Sequence, residues 1–407
     1  MRLLYFATHQ MWPLTSGNRL RDFHLARELA KRASVTFVEM RHLGEEPSSP
    51  PSDCAFDEII TLKKGASYTP GKIVRGLAGP TPLTVLNYFD TKSAFQLANL
   101  LARRQFDTVQ IEGVHLSKYL PIFQTARKRP AILVDWQNIE SELMWRYSNN
   151  SSFWPKRVLA QRTAALLQRS EMLLLESWGM HTVVSERERQ KLLGRCPSAH
   201  VKVIPNGVDT NFFSASQISE MWKNPPAATA KPSILFVGSM DYHANIDGVT
   251  WFTREIWPEI AEKHPELEFV IAGRNPSGAV RALASEQVRV TGTVEDVRPF
   301  YASAVAVVVP LRVGSGTRLK ILEAMAAGVP VVSTRLGVEG IDATHNIHLL
   351  LADNRAEMVA AIEQMASSPK RSRLVQAARE FVVRHYDWTI VGEKLYQIHR
   401  ELAQTST

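Results

Sequence analysis

Two cysteines in 407 residues, Cys54 and Cys196, leave no disulfide framework, and a reducing cytoplasm is the expected compartment. No window approaches the ~20 consecutive apolar residues of a membrane-spanning helix. Met1-Arg-Leu-Leu-Tyr-Phe-Ala7 is followed by polar His9 and Gln10, so it reads as a first strand rather than a cleaved leader. A dinucleotide fingerprint closing that strand needs Gly-x-Gly-x-x-Gly, and residues 8–18 hold only Gly17. The Gly-x-Ser-x-Gly nucleophile elbow is absent. Twelve histidines and two cysteines show no ligand spacing, so no metal site and no resident cofactor are expected, although scattered carboxylates leave weak Mg²⁺ binding open. Zinc-finger spacing and basic heptad helices are also missing, which sets nucleic acid aside as a partner.

What is present is an ordinary globular composition, 45% hydrophobic and 22% charged, at a length that suits two domains. The formal charge of +8 is uneven: residues 1–205 hold 28 Lys+Arg against 18 Asp+Glu, and residues 206–407 hold 20 against 22. A basic first half fits anionic headgroups or a phosphorylated substrate, with a merely solvated basic surface as the alternative.

Short apolar runs alternate with amphipathic segments, the pattern of parallel α/β structure. Strands are expected at Leu3–Ala7, Val35–Glu39, Thr108–Ile111, Ala131–Asp135, Thr182–Val184 and Val201–Ile204, with a helix at Arg19–Arg32. After Pro205-Asn-Gly-Val-Asp209 and the loop carrying Pro225, Pro226 and Pro232 the pattern restarts. Strands follow at Ile234–Gly238, Glu268–Ala272, Val288–Thr291, Val305–Pro310 and Val329–Ser333. The expected domains are residues 1–207 and 208–387, each a doubly wound Rossmann-like sheet, the two facing across a cleft. A C-terminal helix at about residues 388–405, with its apolar pattern over Val391–Leu402, is expected to pack back on the first domain.

The densest chemistry lies in Arg312-Val-Gly-Ser-Gly-Thr-Arg-Leu-Lys320-Ile-Leu-Glu323. Gly314 and Gly316 free the backbone to bend or to approach a ligand. A helix N-terminus behind them offers unpaired N–H groups to a phosphate. Glu323, placed about two turns into that helix, can accept hydrogen bonds from two ribose hydroxyls. These features point to a nucleotide site.

Leu322-Glu-Ala-Met-Ala-Ala-Gly-Val-Pro-Val-Val-Ser333, Pro205–Asp209, Phe236-Val-Gly-Ser239, Ile271-Ala-Gly273, Val290-Thr-Gly292 and Tyr386-Asp-Trp388 occur in this order. In these segments the chain resembles the retaining, nucleotide-sugar-dependent glycosyltransferases of the GT-B type, family 4, and within them bacterial exopolysaccharide-cluster members. The first half matches more loosely, through Pro13–Gly17 and Val184-Ser185. The resemblance implies an α/β GT-B fold whose second domain binds a nucleoside-diphosphate sugar and whose first holds a saccharide or lipid-linked acceptor. It places Glu323 on the ribose, Gly17 against the diphosphate and Val294 beside the base. Gly314, Ser315, Gly316 and Thr317 line the donor, and the reaction is a metal-independent EC 2.4 transfer with retention.

Three departures stand out. Ser315 stands where many relatives carry a second glutamate on the transferred sugar. Ser239 and, nearby, Asn245 stand where many carry Arg and Lys on the diphosphate. Lys320 is the first replacement cation, one helical turn before Glu323; Arg318 and Arg312 follow. Gln137 stands where many relatives have a histidine near the donor sugar, so Lys320, Arg318 and Gln137 are the candidate catalytic groups. Glu112, His115, Asp135 and Glu140 are the acceptor-side candidates. Two rival readings are a nucleotide-sugar-binding protein without catalysis and a nucleotide-sugar epimerase of the same fold. The expected location is the cytoplasm, with peripheral contact at the inner face of the plasma membrane through the basic first half.

Overall fold

Runs such as Arg2-Leu-Leu-Tyr-Phe6 and Ala304-Val-Ala-Val-Val-Val309 are apolar on both faces, which only a strand covered by helices on both sides can bury. The computed structural model describes residues 1–47, 54, 56–150, 153–223, 231–314, 316–367 and 370–405. It divides into two units, Met1–Pro205 with Val391–Thr407, and Asn206–Ile390.

The first unit carries β1 (Arg2–Phe6), β2 (Ser34–Arg41), β3 (Glu58–Lys63), β4 (Thr108–Glu112), β5 (Ala131–Trp136), β6 (Met180–Val183) and β7 (His200–Val203). All pairings are parallel, in the order β3-β2-β1-β4-β5-β6-β7. The second unit carries β8 (Ser233–Val237), β9 (Glu268–Ala272), β10 (Val288–Gly292), β11 (Ala304–Val309), β12 (Val331–Ser333) and β13 (Leu350–Leu351). These are also all parallel, in the order β10-β9-β8-β11-β12-β13. Each sheet therefore reverses direction of build beside its first strand, between β1 and β4 and between β8 and β11. The carboxyl ends of those strands are where such sheets bind ligands.

Two strands differ from the sequence expectation. β3 reads Glu-Ile-Ile-Thr-Leu-Lys, an edge strand with one buried residue, so its apolar signal is short. β13 has only two residues and exists because β12 pairs with it. Helices fill the connections. The first, Gly17–Ala30, begins at N-cap Ser16, whose hydroxyl accepts the Arg19 N–H.

The last helix, Trp388–Thr405, is longer than its apolar pattern. From Val391 on it belongs to the first unit, where buried His399 reaches Thr108 Oγ1 and Gln110 Oε1, each at 3.0 Å. Burial pushes the His399 imidazole down to about 3, so it is neutral there. A Cβ on Gly392 would lie 2.3 Å from Glu28 Cβ on the Gly17–Ala30 helix, so the helix seats only because residue 392 is glycine. Gly392→Val should destabilise the protein by about 2–3 kcal/mol, the cost of overpacking. Denaturant unfolding checks this; an unchanged midpoint would refute the contact.

Candidate functional site

In the second unit the turn after β11 leads into the helix Leu319–Ala327. Gly314 and Gly316 take φ of +112° and +84°, which other residues rarely adopt. Arg318 is the N-cap in extended conformation and supplies no side-chain cap; Ile321 N–H donates to the Arg318 carbonyl, which leaves the Leu319 and Lys320 N–H groups for a ligand. The helix closes at left-handed Gly328. Because it starts at Leu319, Glu323 lies about one turn in rather than two, and Arg318 precedes the helix. Ser315 lies outside the described residues.

Glu323 accepts a 2.8 Å hydrogen bond from the Tyr301 hydroxyl and bonds neither Lys320 nor Arg318. Its Oε1 has no protein partner among the described residues. Burial raises its pKa above the usual carboxylate range, while the Tyr301 bond and Lys320 pull the other way.

Lys320 is buried. Its Nζ donates to Asn245 Oδ1 at 3.2 Å and lies 3.8 Å from the centre of the Phe236 ring. Burial, with the Arg318 charge, lowers its pKa to about 7. A Cβ on Gly238 would fall 2.9 Å from that Nζ, so the ammonium occupies the space of a side chain. Asn245 also donates to the Ser239 carbonyl at 2.8 Å and so ties Lys320 to the turn after β8.

The Arg318 guanidinium donates to the Gly316 carbonyl and lies 3.1 Å from the point a Gly314 Cβ would take. The Thr317 hydroxyl is buried with no hydrogen-bond partner among the described residues. Arg312 does not join them: it pairs with Asp247 at 2.6 Å and stacks on Trp251, on the flank of the helix His243–Trp251. Asp247 neutralises that charge, which removes Arg312 from the donor cations. Val294 packs on the second unit's core.

Sequence reasoning missed Arg274. It follows Gly273 at the end of β9, and its Nε donates to Ser239 Oγ at 3.1 Å. Ser239 Oγ in turn donates to Asp241 at 2.6 Å. Its terminal amino groups have no partner among the described residues. The signal available was the Ala-Gly-Arg end of the second strand of this unit, but only the β8–β9 pairing brings it to Ser239.

In the first unit the site candidates meet at the ends of β1, β4 and β5. Glu112 accepts from the Thr8 N–H at 2.6 Å and the Thr8 hydroxyl at 2.7 Å. His9 Nε2 lies 3.1 Å from Asp22 Oδ2, and its Nδ1 lies 3.8 Å from Glu112 Oε2. Burial opposes protonation of His9, but Glu112 and Asp22 win and raise it to about 9. Burial and the Asp22 charge raise Glu112 to about 7, against the His9 charge. Gln137 Nε2 donates to Asp22 Oδ1 at 3.0 Å, and its Oε1 is buried without a partner.

His9 and Asp22 were absent from the sequence candidates. Spacing in the sequence does not show this grouping, in which ligand atoms of His9, Asp22 and Glu112 lie within 4.8 Å of one another. Glu112 Oε2 already accepts two hydrogen bonds from Thr8, and His9 Nδ1 lies 3.1 Å from that Thr8 hydroxyl, between it and the carboxylate. The donor set therefore suits an imidazolium between two anions.

Asp135 is removed from the acceptor side. It is buried, takes Arg21 through both oxygens at 3.0 and 3.1 Å, and accepts from Thr182 at 2.7 Å. Three of its acceptor positions are spent on the fold. His115 packs against Tyr88 with ring centres 5.0 Å apart, and burial with the nearby Lys64 charge lowers it to about 4. Burial, with Glu171 and Glu112, raises Glu140 to about 7. Gly17 is the first residue of its helix rather than part of the preceding loop.

Residues 231–368 match the family described as "Glycosyl transferases group 1", and residues 23–212 match "Glycosyltransferase Family 4". Each half thus matches a glycosyltransferase family model, and the fold is GT-B. Over 221 residues the chain is 27% identical to phosphatidyl-myo-inositol mannosyltransferase of Mycobacterium leprae, covering 50% of this chain and 54% of that protein. It is 27% identical over 131 residues to an uncharacterized 44.6 kDa protein in the cps region of Klebsiella pneumoniae, covering 30% of this chain and 34% of that one. The chain thus spans about half or less of the length of these relatives. Sucrose-phosphate synthase from Thermosynechococcus elongatus superposes with a TM-score of 0.74 at 18% identity, covering 99% of both chains. HepE of Anabaena, in complex with UDP and glucose, superposes with a TM-score of 0.64 at 15% identity, covering 98% of this chain and 100% of that one.

The His9–Glu112 pair is directly testable. Glu112→Gln removes an anion facing the imidazolium, so His9 should titrate clearly below about 9, read by NMR of its ring protons against pH. An unchanged midpoint would show that Glu112 does not hold the proton on His9.

Proposed function

We propose that this GT-B protein transfers a sugar from a nucleoside-diphosphate sugar to a saccharide or lipid-linked acceptor with retention of configuration. The observation that carries the reading is the pairing of an oriented carboxylate with a buried cation on one helix. Tyr301 holds Glu323 with one oxygen open, one turn beyond an uncapped helix start, while Lys320 projects to the glycine turn after β8. A ribose diol fits the carboxylate, and a diphosphate fits Lys320, the open N–H groups and the Thr317 hydroxyl. Arg274, whose terminal amino groups are open, supplies a second cation beside Ser239.

In the reaction the acceptor oxygen bonds to the anomeric carbon on the face from which the diphosphate leaves. The carbon–oxygen bond to the phosphate breaks, the electron pair goes to the phosphate, and the acceptor proton passes to a phosphate oxygen. Lys320 and Arg274 stabilise that leaving charge. Gln137, which hydrogen-bonds Asp22, offers a sugar contact and takes no proton. No step calls on a metal. The relatives named as phosphatidyl-myo-inositol mannosyltransferases support a lipid-linked acceptor.

Calorimetric titration with a panel of nucleoside diphosphates and their sugars tests the donor site. Glu323→Ala should weaken binding about 10-fold or more, and Arg274→Gln about 10-fold, the loss of a charge-assisted hydrogen bond. Arg274→Gln should leave the affinity for the bare nucleoside unchanged; an equal loss there would assign Arg274 to the fold instead. The anomer formed, read by NMR, decides retention. Binding without turnover across acceptors would favour the non-catalytic reading.

Lys320 adds a pH signature. Its pKa is lowered to about 7, and the diphosphate takes the protonated form. Affinity for a nucleoside-diphosphate sugar, whose phosphates do not titrate in this range, should fall by up to about 10-fold per pH unit above 7. Lys320→Arg should flatten that fall. A flat profile in the unmodified protein would overturn the role.

A further inference from the structure

A buried cation stands in the first unit without a counter-ion. Lys64 is the residue after β3, and its backbone N–H extends the strand ladder by donating to the Arg41 carbonyl at 2.9 Å. That register sets it beside His42, the residue after β2. The Lys64 side chain is buried. Its Nζ lies 3.2 Å from His42 Nδ1 and 3.9 Å from the centre of the Tyr88 ring, and it makes no ion pair among the described residues. Glu45, the acid whose charge reaches it, is bonded to Arg19 at 3.3 Å and to the His42 N–H at 2.9 Å. A ring face and one imidazole nitrogen replace only part of the hydration that an ammonium gives up on burial. Burial, with the Lys72 charge, lowers the Lys64 pKa to about 8, so at pH 7 it is still charged.

Two further donors meet it there. Tyr88 ends the helix Leu83–Tyr88, and His115 lies in the turn Val114–Tyr119 that follows β4. Their rings pack with centres 5.0 Å apart. Neither the Tyr88 hydroxyl nor a His115 ring nitrogen has a hydrogen-bond partner among the described residues. Both groups keep a proton to donate. Burial pushes the Tyr88 hydroxyl up to about 12, and burial with the Lys64 charge lowers His115 to about 4, so its ring is neutral with one N–H. Lys64, His42 and His115 all follow the carboxyl ends of parallel strands, where such sheets take ligands. An oxyanion completes this set of donors. The charge present decides which one. A single buried ammonium stands beside two neutral donors, and the Glu112 and Glu140 charges also reach Tyr88. Lys72, the other cation felt at Lys64, is held on the Ala66 carbonyl at 2.9 Å. A phosphate monoester brings nearly two negative charges at pH 7, whereas a carboxylate brings one.

We propose that Lys64, Tyr88 and His115 form a carboxylate subsite, and that the acceptor held by the first unit is an acidic sugar, a hexuronic acid. The subsite rests on the transfer proposed above only in calling that sugar an acceptor, because all three residues lie in the first unit and bind without a donor.

Titration of the full chain without nucleotide tests it, using methyl glucuronide and methyl galacturonide with the matching neutral glycosides as controls. The His42 and His115 ring protons, followed by NMR, should shift and saturate with a uronide and stay in place with its neutral glycoside. Lys64→Gln should weaken uronide binding about 10-fold or more, the loss of a charge-assisted hydrogen bond. His115→Phe keeps the ring packing on Tyr88 and removes the N–H, and should weaken binding about 5-fold. Thermal unfolding confirms that each variant folds, and affinity for a nucleoside diphosphate, which reports the second unit alone, should not change in either. Absence of nucleotide binding would sink the donor site and leave the carboxylate subsite standing. Equal binding of uronide and neutral glycoside, no binding of either, or undiminished uronide binding by Lys64→Gln overturns the proposal. Tighter binding of methyl glucoside 6-phosphate than of both uronides overturns it too, and would assign Lys64 to a phosphate ester.

Discussion

Lys320 Nζ lies 2.9 Å from the point that a Cβ on Gly238 would occupy, and the Asn245 amide nitrogen lies 2.8 Å from it. The ammonium and the amide take the space a side chain at residue 238 would fill, so any larger residue there must displace them. The same turn is pinned from the other side. A Cβ on Gly273 would fall 1.7 Å from the Gly238 carbonyl oxygen, so residue 273 must be glycine for the ends of β8 and β9 to lie in register. That register carries Arg274 to Ser239. Two cations and one amide are therefore placed by a pair of missing side chains and a parallel strand pairing.

This arrangement answers a difficulty raised by Ser239 and Asn245. Both are neutral, and a departing diphosphate needs positive charge close by. Lys320 reaches the turn from the helix behind it through Asn245, and Arg274 reaches it from the neighbouring strand through Ser239. Each neutral residue accepts a hydrogen bond from one cation and so orients it. A full burial of Lys320 carries a cost that shows as its lowered pKa, and a bound anion would relieve it.

The strands were legible because doubly buried parallel strands read as unbroken apolar runs. β3 and β13 were not, since an edge strand with one buried residue and a two-residue strand carry almost no pattern. Glu323 and Lys320 were legible as a spacing on one helix. Their partners Tyr301 and Asn245 sit 22 and 75 residues away, and Arg274 meets Ser239 across 35, so only the sheet joins them. The turn before the helix misled in one respect: Arg312 follows the same strand as Arg318, yet Asp247 captures it. His9 and Asp22 carried no motif, being brought to Glu112 by the switch of strand order between β1 and β4.

The charge excess of the first half has two distinct destinations. Part is consumed in the fold: Arg21 holds Asp135 and the Ile204 and Pro205 carbonyls, and Arg195 holds Glu171. Those cations are buried or half-buried, and their counter-charges are close. Six more lie on residues 65–89 and 153–170, where the sequence supplies no acid within either stretch. Surface repulsion among such groups normally selects for interspersed carboxylates, and the same two stretches also expose Val74, Leu77, Trp154, Val158 and Leu159.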